Sequence, residues 1–237
     1  KEALDVLNES RKLGRKIFMN SPSPLLTEDL IQIKQWIDRY ELGQVIACRG
    51  DTWASYRERA DGSWYDDPEK CPVAPIFRLG IYLINDLIRI IGRPQCVQVL
   101  HSTVFTERPT PDNAQLGILF NNGAIANIFS SFCVDDGQKY SNSLTLNFEK
   151  GTIYRNVGKG FNKKTELDLI YKSKGSYKKD SVILEQKSGE YQWEVFYKAI
   201  NGEITNNLVC SETVVNGIKV IEAMSRSEKS GCTELIL

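Results

Sequence analysis

Apolar residues recur with a helical period over residues 74–92 (APIFRLGIYLINDLIRIIG), the longest such run in the chain. They occupy most of the circumference, from Ile76, Leu79 and Leu83 through Leu87 to Ile91, and a helix apolar nearly all round is normally buried. Its polar residues are confined. Arg78, Tyr82, Asn85 and Arg89 fall at i, i+4, i+7 and i+11, which at about 3.6 residues per turn is one narrow stripe, with Asp86 beside it. Such a stripe is either a solvated edge held by local pairs such as Asp86 with Arg89 or one wall of a pocket that holds side chains rigidly toward a ligand. Gly92 followed by Pro94 is a stop signal.

Upstream, Leu4, Leu7 and the Ala3, Val6, Leu13 set predict a helix ended by Gly14, and residues 17–19 read as a short strand. Thr27 is a candidate N-cap for an amphipathic helix carrying Leu30, Ile31, Ile33 and Ile37 and ending near Gly43. Residues 44–56 read as a strand, and residues 58–73 as a long turn-rich loop. Beyond the central helix the period changes to two, which predicts antiparallel strands. They cover residues 96–106, 116–120 and 124–132, the last two joined by Asn121, Asn122 and Gly123. A second hairpin joins residues 144–148 to 152–155. The lysine-rich region 159–179 reads as a solvated loop, 181–186 as a further strand, and 191–200 and 212–227 as helices.

Composition narrows the partners. A chain of 237 residues with 41% hydrophobic content can bury a full core. Thirty basic and thirty acidic side chains give zero formal net charge, so no long-range field favours nucleic acid or an anionic membrane. A small molecule or another protein is the expected partner. No apolar run approaches the roughly 20 residues needed to span a bilayer, and no signal peptide is read at the first residues. The six cysteines are widely spread with no C-x-x-C pair, which fits reduced thiols in a cytoplasmic protein. His101 is the single histidine, so no metal site is expected, and in its strand it reads as structural. Trp53, Tyr56, Trp64 and Tyr65 could stack on a sugar ring or serve as core aromatics.

The order of these motifs resembles the second domain of the glucose-fructose oxidoreductase, inositol dehydrogenase and rhizopine-catabolism (Gfo/Idh/MocA) family of NAD(P)-dependent oxidoreductases. The resemblance rests on LGIYLINDLIRIIG (79–92) against that family's L-G-x-H-x-x-D helix. It rests also on Trp64, Asp67 and Pro68 against a W-x-D-P-like motif, on FEKGTI (148–153) against a G-T-K-G-T-L-like hairpin, and on the ending from Trp193. It implies an α+β fold, a mostly antiparallel sheet with helices packed on one face, over residues 21–237, with residues 1–20 as the last helix and strand of a Rossmann domain. The chain departs from the pattern where chemistry is expected: Arg78 replaces an acid, Tyr82 the histidine, Asn85 the later acid. A His exchanges protons readily near neutrality, whereas Tyr, near 10, does so only if a cation such as Arg78 lowers it.

The resemblance implies Tyr82 as the catalytic residue and Arg78, Asn85, Trp64 and Asp67 as substrate-binding residues. NAD or NADP is implied for the full-length protein. No cofactor is expected in this fragment, because it shows no G-x-G-x-x-G turn, and the glycines at 158–160 lie in a polar loop. The implied function is the substrate-binding and oligomerisation domain of an oxidoreductase acting on a sugar, polyol or related hydroxy compound, inert without its Rossmann domain. The alternative is a non-catalytic, ligand-sensing member of the same family. Self-association is expected through the open face of the sheet, which the alternation assigns to Ala126, Ile128, Ser130 and Phe132.

Overall fold

The structure, a computed structural model, describes residues 2–137, 140–157, 164–185, 191–205, 208 and 211–237. Helix α1 (Glu2–Lys12) and helix α2 (Glu28–Arg39) precede β1 (Val45–Trp53). A π-helical turn (Ile76–Gly80) runs into α3 (Ile81–Ile91), and β2 (Pro94–Ser102), β3 (Asn113–Phe120), β4 (Ile125–Ser131), β5 (Ser141–Phe148), β6 (Gly151–Val157), β7 (Thr165–Ser173) and β8 (Ser176–Leu184) follow. Helices α4 (Trp193–Ile200) and α5 (Ser211–Ser230) and the short β9 (Glu234–Leu235) close the chain.

The strands form one sheet in the order β8-β7-β6-β5-β1-β4-β3-β2-β9. Among the described strands only β1 and β4 run parallel. One face is covered by helices: Leu83, Ile84, Leu87 and Ile88 of α3 and Val220, Ile221 and Met224 of α5 join Leu116, Ile118, Ile128, Leu144 and Leu146 in a single core. Burying each such aliphatic side chain is worth roughly 1.5–3 kcal/mol, so the helix-period run is the main anchor of this layer. The 148–153 hairpin is shaped by close approach. A Cβ on Gly151 would lie 2.8 Å from the Ile170 carbonyl, and Lys150 N donates to Leu42 O at 3.0 Å, seating the hairpin under the end of α2.

Four expectations change. Residues 17–19 form no strand, because no neighbouring strand pairs with them there. The region 159–179 is not a loop throughout: residues 165–173 and 176–184 are the β7–β8 hairpin, and residues 158–163 and 186–190 lie outside the described residues. Lysines on the outward positions mask the inward set of Leu167 and Leu169, both fully buried. Thr27 stands at the N-cap of α2 but makes no side-chain capping hydrogen bond. Finally, Ala126, Ile128, Ser130 and Phe132 are the buried set, with Ser130 Oγ donating to Pro75 O at 2.7 Å. The open face carries Ile125, Asn127 and Phe129 instead. Both alternating sets of β4 are apolar, so alternation alone could not say which one the helices cover.

Candidate functional site

The π-helical turn decides how the polar stripe is distributed. An i→i+5 turn holds more residues than an α turn, so the phase running through Tyr82, Asn85 and Arg89 does not carry back to Arg78. The four side chains accordingly point to three places.

Arg78 turns toward the loop after β1. Its guanidinium grips Glu58 in a fork, with Nη1 to Oε2 at 2.6 Å and Nη2 to Oε1 at 3.0 Å. It lies over the rings of Tyr65 (4.0 Å), Phe132 (4.7 Å) and Tyr56 (5.0 Å). Glu58 also accepts from Arg108 Nε at 3.1 Å, and Arg108 Nη1 donates to Asp61 at 3.0 Å and Asp66 at 2.6 Å. The Arg78 hydrogen bonds, with the charge of both arginines, hold the Glu58 carboxyl below its usual range. This network fastens the loop to the segment after β2. Trp64 joins it through Tyr65 (4.1 Å) and Phe77 (6.0 Å) and is half exposed. Asp67 is a turn residue: its carboxylate accepts from Glu69 N at 3.0 Å and pairs with Lys70 at 2.9 Å.

Tyr82 points to a cluster of phenols. Tyr191, Tyr140 and Tyr56 lie close enough to act on it electrostatically. Tyr140 Oη accepts from Asn142 Nδ2 at 2.9 Å. Burial, reinforced by these neighbouring phenols, pushes the Tyr82 hydroxyl up to about 12. Arg78, the cation that could have lowered it, is paired with Glu58, and the net direction for Tyr82 is upward. At neutral pH Tyr82 is therefore a neutral phenol that donates and accepts hydrogen bonds.

Asn85 and Arg89 hold the segment before α2. Asn85 Nδ2 donates to Ser21 Oγ at 2.8 Å, while Arg89 bonds the Ser23 carbonyl oxygen and reaches Ser23 Oγ at 3.3 Å. A cleft of about 20 Å³, lined by Ser21, Thr27, Tyr82, Asn85 and Asp86 among others, remains between them, room for about one water. Asn85 is buried, and its Oδ1 has no hydrogen-bond partner among the described residues. Asp86 pairs with Arg155 at 2.6 Å, whose Nη1 also reaches Asp29 at 2.9 Å and whose Nη2 donates to Asn142 at 3.0 Å. Arg155 hydrogen-bonds Asp86, and the charge of Arg89 also acts on it. The Arg155 cluster pins α2, α3, β5 and β6 together beneath the cleft.

Tyr140, Tyr191, Glu58 and Arg108 were missed by sequence reasoning. They lie far from residues 74–92 in the chain, and no spacing rule connects them. Arg155 left a readable signal, since it shares a strand face with the buried Ile153. His101 sits 3.8 Å from Glu228 on the surface, and the glycines at 158–160 lie outside the described residues.

The family described as the GFO/IDH/MocA C-terminal domain matches residues 30–154. An NAD binding oxidoreductase from Klebsiella pneumoniae superposes with a TM-score of 0.79 at 17% identity, over 99% of this chain and 70% of that one. An aldose-aldose oxidoreductase from Caulobacter crescentus complexed with glycerol gives 0.72 at 18% identity, over 98% and 68%. A levoglucosan dehydrogenase in complex with NADH gives 0.66 at 14% identity, over 86% and 62%. At these identities the likeness is one of fold. Among curated proteins, none matches the chain.

Proposed function

Because the chain belongs to the GFO/IDH/MocA C-terminal domain family, we propose that it is the substrate-binding and oligomerisation half of an NAD(P)-dependent oxidoreductase acting on a sugar, polyol or related hydroxy compound. The observation that carries this reading is the meeting of Tyr82 with Tyr56, Tyr140 and Tyr191 beside a loop locked by Arg78 and Arg108. Phenols offer both a donor and acceptors to a hydroxyl, and their rings give a sugar an apolar face. The solved relatives named as an aldose-aldose oxidoreductase and a levoglucosan dehydrogenase point to the same substrate class.

The cofactor in this reading is held by a dinucleotide-binding domain of the full-length protein, and it supplies the hydride chemistry. The described residues carry no glycine-rich phosphate turn between a strand and a helix, so no step is assigned through this chain's own contact with it. The residues here bind and orient. Tyr82 contacts the substrate, Asn85 shapes the cleft behind it, and Arg78, with Trp64 stacked nearby through Tyr65, holds the wall. Asp67 shapes the loop turn. A homo-oligomer forms through the open sheet face, where Leu100 and Ile125 stand well exposed. The free thiols of Cys48, Cys71, Cys96, Cys133 and Cys232 suit a cytoplasmic setting.

A second reading is favoured by one observation. A phenol held near 12 is a poor proton shuttle at neutral pH, which fits a ligand-sensing member without catalysis. The test is nicotinamide absorbance at 340 nm with the full-length protein, NAD or NADP, and a panel of aldoses, inositols and linear polyols. Turnover of at least one compound, lost in this chain alone, is the expected result. Saturable binding without turnover would establish the sensing reading, and neither binding nor turnover would overturn both.

A further inference from the structure

A cavity of about 360 Å³ opens at the tips of two neighbouring hairpins, where β7 and β8 run on past the turn that joins β5 to β6. That volume is within the range of small-molecule sites. Thr152 stands opposite Ile170, and Lys172 opposite Tyr177. Residues two apart on a strand share a face, so these four side chains converge on one side of the sheet. Tyr171 lies on the other side, stacked on Tyr40 at 4.3 Å. Lys150 joins the four from the turn, its carbonyl accepting from Lys172 N at 3.2 Å. The cavity reaches Phe148, about 20 Å along β5 from Asn142.

The polar groups that converge here are donors. Lys150 and Lys172 are exposed, and neither makes a side-chain ion pair or hydrogen bond among the described residues. Lys179, by contrast, pairs with Asp168 at 3.0 Å. The Thr152 hydroxyl oxygen accepts from Asn147 Nδ2 at 3.1 Å, which leaves its own proton to give. Tyr177, 77% exposed, adds a phenolic proton and a ring face. The neighbouring acids are held elsewhere. Glu149, which also lines the cavity, lies against Gly43 with its Oε2 accepting from Gln44 N at 3.1 Å, and Asp180 bonds the Tyr40 hydroxyl. Two unpaired ammoniums and two hydroxyl donors suit a group with about two negative charges and several acceptor oxygens, which describes a phosphate. Ile170 and the Tyr177 ring offer an apolar surface to whatever carries it.

We propose that this cavity binds a small phosphate monoester: Lys150 and Lys172 hold the phosphate, Thr152 donates to it, and Ile170 and Tyr177 flank the organic part. Such a site is independent of the substrate taken near Tyr82.

The test uses the full-length protein with phenyl phosphate as probe, titrated to about 10 mM. Binding is followed by the ¹³C-methyl resonance of Ile170, assigned by its absence in Ile170→Val. That reporter separates this cavity from a dinucleotide-binding domain, which also takes phosphate. A saturable shift of Ile170 is expected, with a Kd raised about tenfold in Lys150→Gln and in Lys172→Gln, the worth of one charge-assisted hydrogen bond, and raised by added salt. Inorganic phosphate should displace the probe, and benzyl alcohol should not. An unmoved Ile170 resonance, equal affinity for benzyl alcohol, or an unchanged Kd in the Lys150→Gln, Lys172→Gln double variant would overturn the proposal. Vesicles containing phosphatidic acid carry the same group on a lipid and are not expected to bind. Lysine-dependent binding to them that displaces phenyl phosphate would overturn the assignment to a small molecule.

Discussion

Replacing Arg155 by methionine is the severest single test of how the cleft is supported. The side chain is fully buried and holds Asp29 at 2.9 Å, Asp86 at 2.6 Å and Asn142 at 3.0 Å. Methionine fills much of the same volume but leaves two carboxylates facing each other in a site that water barely reaches. Removing one partner of a buried ion pair costs about 3–5 kcal/mol, against a total of about 5–15 kcal/mol for a natural domain. The loss should depend on pH. Burial already holds the Asp86 carboxyl above the ordinary carboxylate range, with Arg155 opposing it. A carboxyl raised in the folded state binds protons more readily there than when unfolded. Its contribution therefore falls as pH rises from its ordinary value through the raised one. Without Arg155 that window extends upward, so the deficit of Arg155→Met should be larger at pH 8 than at pH 5. Urea unfolding followed by the fluorescence of the buried Trp36 measures both. Adding Asp86→Asn should restore at least about 1 kcal/mol by removing an uncompensated charge. A deficit below about 1 kcal/mol, equal at both pH values and untouched by Asp86→Asn, would refute the view that this network is an ion cluster holding α2 and α3 to the sheet.

Gly217→Ala should destabilise the chain by about 1–3 kcal/mol although alanine is the better helix former by about 1 kcal/mol. Its Cβ would run into Asn85 Oδ1 and come within 3.2 Å of Asn85 Cγ, so thermal unfolding should show the loss reversed in an Asn85→Ala background. Tyr82 should contribute no tyrosinate signal at 295 nm until pH approaches about 12, and an additional ionisation near 10 in the unmodified protein relative to Tyr82→Phe would contradict its burial among phenols. Ile125→Asp on the open face should lower the mass seen by light scattering without changing the melting temperature, whereas Ile128→Asp, fully buried in the core, should prevent folding. A strictly monomeric unmodified protein would end the proposal of self-association through this face.

By itself the sequence determined the elements whose periodicity is written in adjacent residues: the run that becomes α3, the stop at Gly92, both apolar alternations of β4, and the family's hairpin with its obligatory glycine at 151. It also showed that Arg78, Tyr82 and Asn85 stand where the family's pattern has other chemistry. The tertiary structure decided which alternating set of β4 the helices cover, because both sets are apolar and only packing distinguishes them. It decided that lysine-rich residues form β7 and β8, where two inward leucines outweigh an outward row of charge. It also decided what the polar stripe does. A π-helical turn broke its phase, and salt bridges from Glu58 and Arg155, far apart in the chain, claimed Arg78 and Asp86. The phenols of Tyr140 and Tyr191, 58 and 109 positions beyond Tyr82, were brought within electrostatic reach of it by the register of β5 and the clamp of Gln192 on Leu25. Contacts of that range follow from chain topology, which no local period encodes.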